Sequence, residues 1–393
     1  MKGFLMKATL LLLCVPSAMV TALLSPAMVA MCEEYAQFSA TIVTMIVTIP
    51  TVTVLVGLFM APALVQKISI KTLLLVGMVV FTICNVLSAW CSNLYLLLLL
   101  RGLSGIGCGL ILPLQVTFVA TYPEKERATL MGLGATVSCL FAAVLVAVAG
   151  MITTINWRLI FFLYLINVVT IFLTIIYIPK HIASEEPSVQ AVAEEAVTGK
   201  TETLKDYWKT LFLYYFLMIG AYLFLPVLTA ELAPYLQNIS MGGPEEAGLL
   251  MSISLIGSML AGLALGQYLN LFKGFSMGMI FLGGAVGFAL LWMAKSIVVI
   301  GVAVFIIGVF SSLVSCVVNY ELSKALPLRL FTPASAGTSF FIFVLQFVAP
   351  IIFVAMLGMV PSGSFRVVFL MYAIIQAIFI LLACVLPKFL LKA

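Results

Sequence analysis

Twelve stretches of about 20 or more apolar residues run through this chain, and a helix of that length matches the hydrocarbon thickness of a bilayer. They fall at approximately 8–31, 38–61, 72–91, 95–120, 128–151, 159–178, 209–233, 246–268, 275–294, 297–320, 334–358 and 365–387, numbered here spans 1 to 12. The runs are continuous rather than alternating, which predicts helices and not the strands of a barrel. No soluble domain of this size hides an apolar fraction of 64% against 8% charge. The expected fold class is therefore all-α integral membrane protein with twelve transmembrane helices.

The longest polar stretch, residues 179–208, divides the spans six and six. It holds Glu185, Glu186, Glu194, Glu195, Glu202 and Asp206 beside Lys180, Lys200 and Lys205, and reads as a solvated cytoplasmic linker. Within it, TLKDYWKTL is expected to form one amphipathic helix. The domain reading is a six-helix bundle over 1–178, the linker 179–208, and a second six-helix bundle over 209–393.

Lysine and arginine orient the chain. With the N-terminus inside, fifteen fall at cytoplasmic ends and only Arg158, Lys295 and Arg366 at outer ends. The net charge of +5 is then positive-inside bias, and no nucleic-acid partner is needed to explain it. The expected location is the cytoplasmic membrane, multi-pass, with both termini cytoplasmic.

The sequence repeats at about 200 residues. SPAMVAMCEEY (25–35) aligns with LPVLTAELAPY (225–235), setting Pro26 against Pro226 and Tyr35 against Tyr235. Trp90 and Trp292 end spans 3 and 9, while WRLIF (157–161) and FRVVF (365–369) open spans 6 and 12. Parallel halves imply two bundles related by a pseudo-two-fold axis along the membrane normal, with a central cavity. Lys2, Lys7 and the apolar run before AMVA have the look of a cleaved leader, but a segment with a counterpart in the second half reads as a structural helix.

With this organisation the chain resembles the major facilitator superfamily of secondary transporters over nearly its whole length. RGLSGIG (101–107) is similar to that family's helix 4 motif, and YPEKERATLMG (122–132) to its helix 4–5 loop. NWRLIFFLY (156–164) and PEEAGLLMSISLIGSMLAG (244–262) resemble the starts of its helices 6 and 8. Two motifs depart from the family. Its helix 2–3 loop carries glycine, an acid and bases, where this chain has Pro62, Gln66, Lys67 and Lys71; the second copy has Gly266, Asn270 and Lys273. An amide replaces the acid in both, which weakens the cytoplasmic charge latch that the resemblance implies. The glycine-proline motif of exporters in helix 5 is also missing from VSCLFAAVLVAVAG (137–150), which argues against drug-proton antiport.

The reactive inventory is small. One histidine, His181, and one aspartate, Asp206, both lie in the linker, so no metal cluster, cofactor site or catalytic triad is expected. The eight cysteines form no CxxC pattern; Cys32 and Cys91 stand near outer helix ends as one candidate pair, and all eight also read as small apolar fillers.

Polar residues inside spans say more. At helical spacing Arg101, Ser104, Gly105, Cys108, Leu112 and Gln115 share one face of span 4. Ser17 and Thr21 align on span 1, Tyr215 and Tyr222 on span 7, Ser312 and Asn319 on span 10, and Ser335, Ser339 and Gln346 on span 11. The resemblance places spans 1, 4, 7 and 10 around a cavity. This makes Arg101, Gln115, Ser17, Thr21, Tyr215, Tyr222, Ser312, Asn319 and Gln346 candidate substrate contacts, against the alternative that small polar residues join helices.

Arg101 is the anomaly. It stands six residues, roughly 9 Å, below the outer end of span 4, and span 1 holds no acid until Glu33 and Glu34. Three neutralisations are open: span 1 carbonyls, a distant carboxylate, or a substrate anion. Glu231, near the outer end of span 7, is the candidate proton-coupling residue. Pro26, Pro113, Pro226 and Pro350, with Gly105, Gly107 and Gly109, are expected to supply bending and close packing for gating.

The function expected is secondary transport of a small organic solute, neutral, amphipathic or singly anionic, by alternating access, with protons a candidate coupling ion. Alternatives are a multidrug or metabolite efflux antiporter, a facilitator or anion exchanger, and more remotely a lipid flippase or membrane enzyme. Beyond solute, bilayer and protons no partner is expected, and the chain reads as a monomer.

Overall fold

The computed structural model describes residues 2–24, 27–38, 40–153, 155–178, 203–224, 228–241, 244–360 and 364–390. Among them the chain is helical and has no strand. Nine stretches are helices long and apolar enough to cross a membrane, and one of these, Glu246–Met293, holds spans 8 and 9 together. Spans 1 and 7 are missing from that set because each is broken. Span 1 consists of helices Lys2–Leu12, Val15–Ala22 and Met28–Glu34, and span 7 of Trp208–Tyr222 and Leu228–Asn238.

The break repeats with the sequence. Ala22 and Tyr222 end their helices 200 residues apart, and Met28 and Leu228 restart them at the same separation. Pro26 and Pro226, expected to bend these spans, lie outside the described residues. Span 1 has a further break at Pro16, in the first turn of Val15–Ala22. Proline offers no N–H to Leu12, and the turn before it tightens, with Cys14 N donating to Leu11 O at 3.1 Å.

Side-chain caps mark where several spans begin. Ser69 accepts from Thr72 N before span 3, Asn93 from Tyr95 N and Leu96 N before span 4, and Ser296 from Val299 N before span 10. Asn156 accepts from Arg158 N before span 6. Span 6 differs from the continuous α-helix expected. It opens as a 3-10 helix, Trp157–Leu165, before the α-helix Ile166–Tyr177, and its buried residues are Trp157, Ile160, Phe161 and Tyr164.

The linker from 179 to 202 lies outside the described residues. The amphipathic helix expected over TLKDYWKTL is corrected. Thr203–Tyr207 is a turn, closed by Thr203 N donating to the Asp206 carboxylate at 2.6 Å, and the helix starts at Trp208 as part of span 7. Asp206 competes with the helix for local backbone donors, as aspartate does in turns.

The chain forms two compact units. The first takes Met1–Pro123, Val137–Thr201 and Pro327–Phe340; the second takes Glu124–Thr136, Glu202–Leu326 and Phe341–Ala393. In the first, glycines set the helix spacing. A Cβ on Gly105 would stand 2.1 Å from Thr53 Oγ1 and 2.4 Å from Pro50 O, and one on Gly109 2.2 Å from Val54 O, so spans 2 and 4 touch backbone to backbone. The start of span 11 joins this unit through Thr117 Oγ1, which donates to Thr332 Oγ1 at 3.1 Å, and Ser335 Oγ, which donates to Pro113 O at 3.4 Å. In the second unit, Gly132 and Gly262 make an equally close crossing, fastened by Thr136 Oγ1 donating to Met259 O at 3.0 Å. Its core is aromatic: Tyr372 packs against Phe224, Phe288 and Phe353 with ring centroids 4.6, 5.4 and 5.8 Å away.

Candidate functional site

Span 4, Leu94–Ala120, carries Arg101 into the first unit with no exposed surface. A permanent guanidinium there needs acceptors. Its Nε donates to Ile46 O at 2.9 Å. One Nη donates to Asn85 Oδ1 at 2.6 Å and to the Tyr164 hydroxyl at 3.3 Å, and the other to Val20 O at 3.4 Å. Among the described residues no carboxylate is bonded to it, and the cation is held by neutral oxygens from spans 1, 2, 3 and 6.

Local sequence explains why those oxygens are available. Pro50 lies inside the helix Ala40–Val65 and has no N–H, so the carbonyl four residues earlier, Ile46 O, has lost its intrahelical donor. Val20 sits in the last turn of Val15–Ala22, where carbonyls lack helical partners and the helix end carries partial negative charge. Met19 O, in the same turn, accepts from the Tyr164 hydroxyl at 3.1 Å. Asn85 is oriented by its own amide, which donates to Phe81 O at 2.8 Å. Of the three neutralisations open in the sequence, one span 1 carbonyl, Val20 O, takes part, and the other three oxygens come from spans 2, 3 and 6.

The repeat shows the alternative. Arg101 is seven residues into its helix, and the residue seven into Ile297–Ala325 is the buried Val304. WRLIFFLY ends on Tyr164 and FRVVFLMY on Tyr372. Without an arginine opposite, the Tyr372 hydroxyl is buried and has no hydrogen-bond partner among the described residues. One half holds a polar knot where the other holds hydrocarbon and rings.

The remaining candidates divide by whether their polar atoms are in use. Ser17 Oγ donates to Cys14 O at 2.6 Å and lies 3.5 Å from Ser138 Oγ of span 5, and Ser312 Oγ is shared between Val309 O at 3.2 Å and Ser258 O of span 8 at 3.3 Å, so both hydroxyls join helices. Gln115 Oε1 is buried without a partner among the described residues, as is Asn319 Oδ1, whose amide nitrogen donates to Ser315 O at 3.0 Å. Tyr215 is half-buried with its ring 5.2 Å from Phe341, Tyr222 is half-buried, and Gln346 is exposed. The Thr21 side chain lies outside the described residues. Glu231 opens the helix Leu228–Asn238 in a half-buried position, and no ion pair holds it among the described residues. Gly107 packs against Gly77, where a Cβ would stand 2.7 Å from the carbonyl oxygen, so the three span 4 glycines are packing surfaces.

A second cluster, not anticipated from the sequence, joins the end of the helix Met28–Glu34 to the start of span 6 in the first unit. Glu34, the last residue of the helix Met28–Glu34, pairs with Arg158 Nη2 at 2.5 Å and accepts from Trp157 Nε1 at 2.7 Å. Arg158 also donates to Cys91 O and to the Tyr35 hydroxyl, the latter at 3.3 Å. Burial raises the Glu34 carboxyl, but the hydrogen bonds from Arg158 and Trp157 outweigh it and hold the group below the usual range. The shared WR and FR starts of spans 6 and 12 are the signal that could have found it. Cys32 and Cys91, the candidate pair, are both free thiols.

The family model described as Major Facilitator Superfamily matches residues 10–350. The chain belongs to the major facilitator superfamily. The curated relative described as uncharacterized MFS-type transporter YcnB, from Bacillus subtilis (strain 168), is 29% identical over 104 residues, which span 26% of this chain and 22% of that one. Among solved structures the fold is similar to the proton:xylose symporter XylE bound to 6-bromo-6-deoxy-D-glucose, with TM-score 0.74, 16% identity, and 96% and 94% of the two chains covered. A double-tryptophan mutant of XylE gives TM-score 0.78 at 14% identity, covering 98% and 95%. The human organic anion transporter MFSD10 (TETRAN) gives 0.67 at 11%, covering 96% of each chain. Family and fold make this a multi-pass membrane protein of transporter type. In this superfamily member the helix 2–3 loop follows Pro62, which is half-buried near the end of its helix; Gln66 and Lys67 are exposed, and Lys71 Nζ donates to Ile175 O at 2.7 Å.

Proposed function

We propose that this protein is a secondary transporter moving a small organic solute, neutral, amphipathic or singly anionic, across the cytoplasmic membrane by alternating access. It works as a monomer of two six-helix halves, 1–178 and 209–393, joined by the cytoplasmic linker, with both termini inside. Among the described residues four buried amide oxygens have no partner, Gln115 Oε1, Asn167 Oδ1, Asn319 Oδ1 and Gln376 Oε1, and the observation that carries the solute class is that two of them, Gln115 and Asn319, stand on the spans that the family resemblance places around the cavity. A buried acceptor left empty costs stability, so each of these two is best explained by a donor that arrives with the solute, a hydroxyl or N–H. Arg101, with its guanidinium bonded to four protein oxygens, serves in this reading as a positioning residue rather than a substrate contact.

Glu231 is the proton-coupling group in this reading, because it is a half-buried carboxylate in a span with no ion-pair partner among the described residues. The test is uptake into proteoliposomes, screened over sugars and small carboxylates, with and without an imposed pH gradient. Gln115→Ala and Asn319→Ala should raise KM about tenfold, the worth of one hydrogen bond at the upper end of its range. Glu231→Gln should abolish gradient-driven accumulation while sparing exchange. Accumulation that persists in Glu231→Gln would remove the proton role and favour exchange or facilitated diffusion.

A further inference from the structure

Two of the three outer cations, Arg158 and Arg366, are repeat partners, and the structure treats them differently. Both are the second residue of their aligned segments, WRLIF and FRVVF. Both are anchored the same way. Arg158 donates to the Cys91 carbonyl and the Tyr35 hydroxyl; Arg366 Nη2 donates to the Ala294 carbonyl at 2.9 Å and meets the Tyr235 hydroxyl. Tyr235 in turn donates to Leu291 O at 3.0 Å.

The counter-charge is where they part. In the first half Glu34 supplies a carboxylate, with one oxygen on Arg158 and the other on the Trp157 indole. In the second half the aligned positions are Pro234 and Phe365. The acid and the indole that orients it are lost together. Among the described residues no ion pair reaches Arg366, and its Nε is buried without an acceptor. Glu231, one turn before Tyr235, makes no ion pair with it. Lys295, next to the anchoring carbonyl, is exposed and adds a second positive charge.

We infer that Arg366 is an oxyanion subsite at the outer end of span 12, filled by an external carboxylate or phosphate in the place that Glu34 takes at Arg158. The bound group is a carboxylate of the solute or the phosphate of an outer-leaflet lipid; guanidinium binds either through paired N–H donors. The solute source deepens the transport reading and rests on it, whereas the subsite itself does not.

The experiment reads binding rather than uptake, so failure of the transport reading and failure of this one are separate results. The full-length chain in phosphatidylcholine nanodiscs is followed by thermal unfolding as benzoate is titrated at constant ionic strength, and separately as phosphatidylglycerol replaces phosphatidylcholine. Stabilisation by benzoate assigns the solute source, and stabilisation by phosphatidylglycerol the lipid source. Arg366→Gln should weaken the apparent affinity about tenfold or more, as loss of hydrogen bonds to a charged group does. Pro234→Glu supplies the missing acid and should suppress the response with the arginine intact. Glu34→Gln strips Arg158 of its carboxylate and should add a second response. The inference is overturned if neither probe stabilises the natural chain, or if Arg366→Gln and Pro234→Glu respond as it does. A response appearing only in Glu231→Gln also overturns it, in favour of Glu231 as the internal partner.

Discussion

Arg101 shows how a cation is held in a bilayer protein without an anion. Its oxygens come from a helix end, a carbonyl uncovered by proline, an amide and a phenol, at 2.6 to 3.4 Å. They lie in several directions, which suits a planar fork and not a point charge. Arg101→Lys should therefore lower thermal stability nearly as far as Arg101→Ala, each abandoned acceptor costing about 1–3 kcal/mol. A lysine variant that melts with the natural protein would show that charge alone suffices. The repeat supplies a matched pair. Tyr164→Phe removes a hydroxyl that is both donor and acceptor and should destabilise by about 1–3 kcal/mol, whereas Tyr372→Phe removes an unpartnered one and should be neutral or stabilising. Equal losses in melting experiments on the two would contradict this. In the sequence Arg101 is conspicuous, and Pro50 is a readable sign that Ile46 O is free. Asn85 and Tyr164 are not readable, because nothing local ties residue 85 or 164 to residue 101.

At the level of helices, the seam between spans 2 and 4 depends on missing side chains. Gly105→Ala would drive a methyl into Thr53 Oγ1 and the Pro50 carbonyl, at 2.1 and 2.4 Å, and backbone cannot swing aside. Overpacking of this kind costs about 1–3 kcal/mol or more, seen as lower yield and melting temperature. Gly102→Ala is the control, since its methyl would meet Ile49 at an ordinary 3.5 Å and should be tolerated. Span number and length are legible because a bilayer imposes them. The breaks in spans 1 and 7 are half-legible through the aligned Pro26 and Pro226. The Pro16 break and the 3-10 start of span 6 are not, since hydropathy carries no record of how tightly an apolar run winds.

At the scale of the whole molecule, the first unit is fastened by an ion pair that responds to acid. Glu34 titrates below the usual carboxylate range in the folded chain, so its stabilisation is complete above that range and disappears as pH falls through the lowered value. The melting temperature of the natural protein should exceed that of Glu34→Gln at neutral pH and converge with it once the pH has fallen through the lowered Glu34 value. Because Glu34 is 41% exposed, the neutral-pH gap is small, about 1 kcal/mol or less. A gap that stays constant down to acid pH would assign the effect to packing. At this scale the repeat and its period are legible, and the exchange of segments between units is not. Residues 124–136 and 327–340 join the unit opposite in sequence through glycine crossings and single hydroxyls, contacts too sparse to leave a pattern.

The spread of Arg101's acceptors along the chain also sets a schedule for biogenesis. The Val20, Ile46 and Asn85 oxygens are synthesised before the arginine, so the nascent cation meets most of its partners on entering the bilayer. The Tyr164 hydroxyl follows 63 residues later. A ribosome stalled between the fourth and sixth spans thus holds a half-molecule whose charge is one ligand short. The Arg101 knot is complete only when the sixth span supplies the Tyr164 hydroxyl.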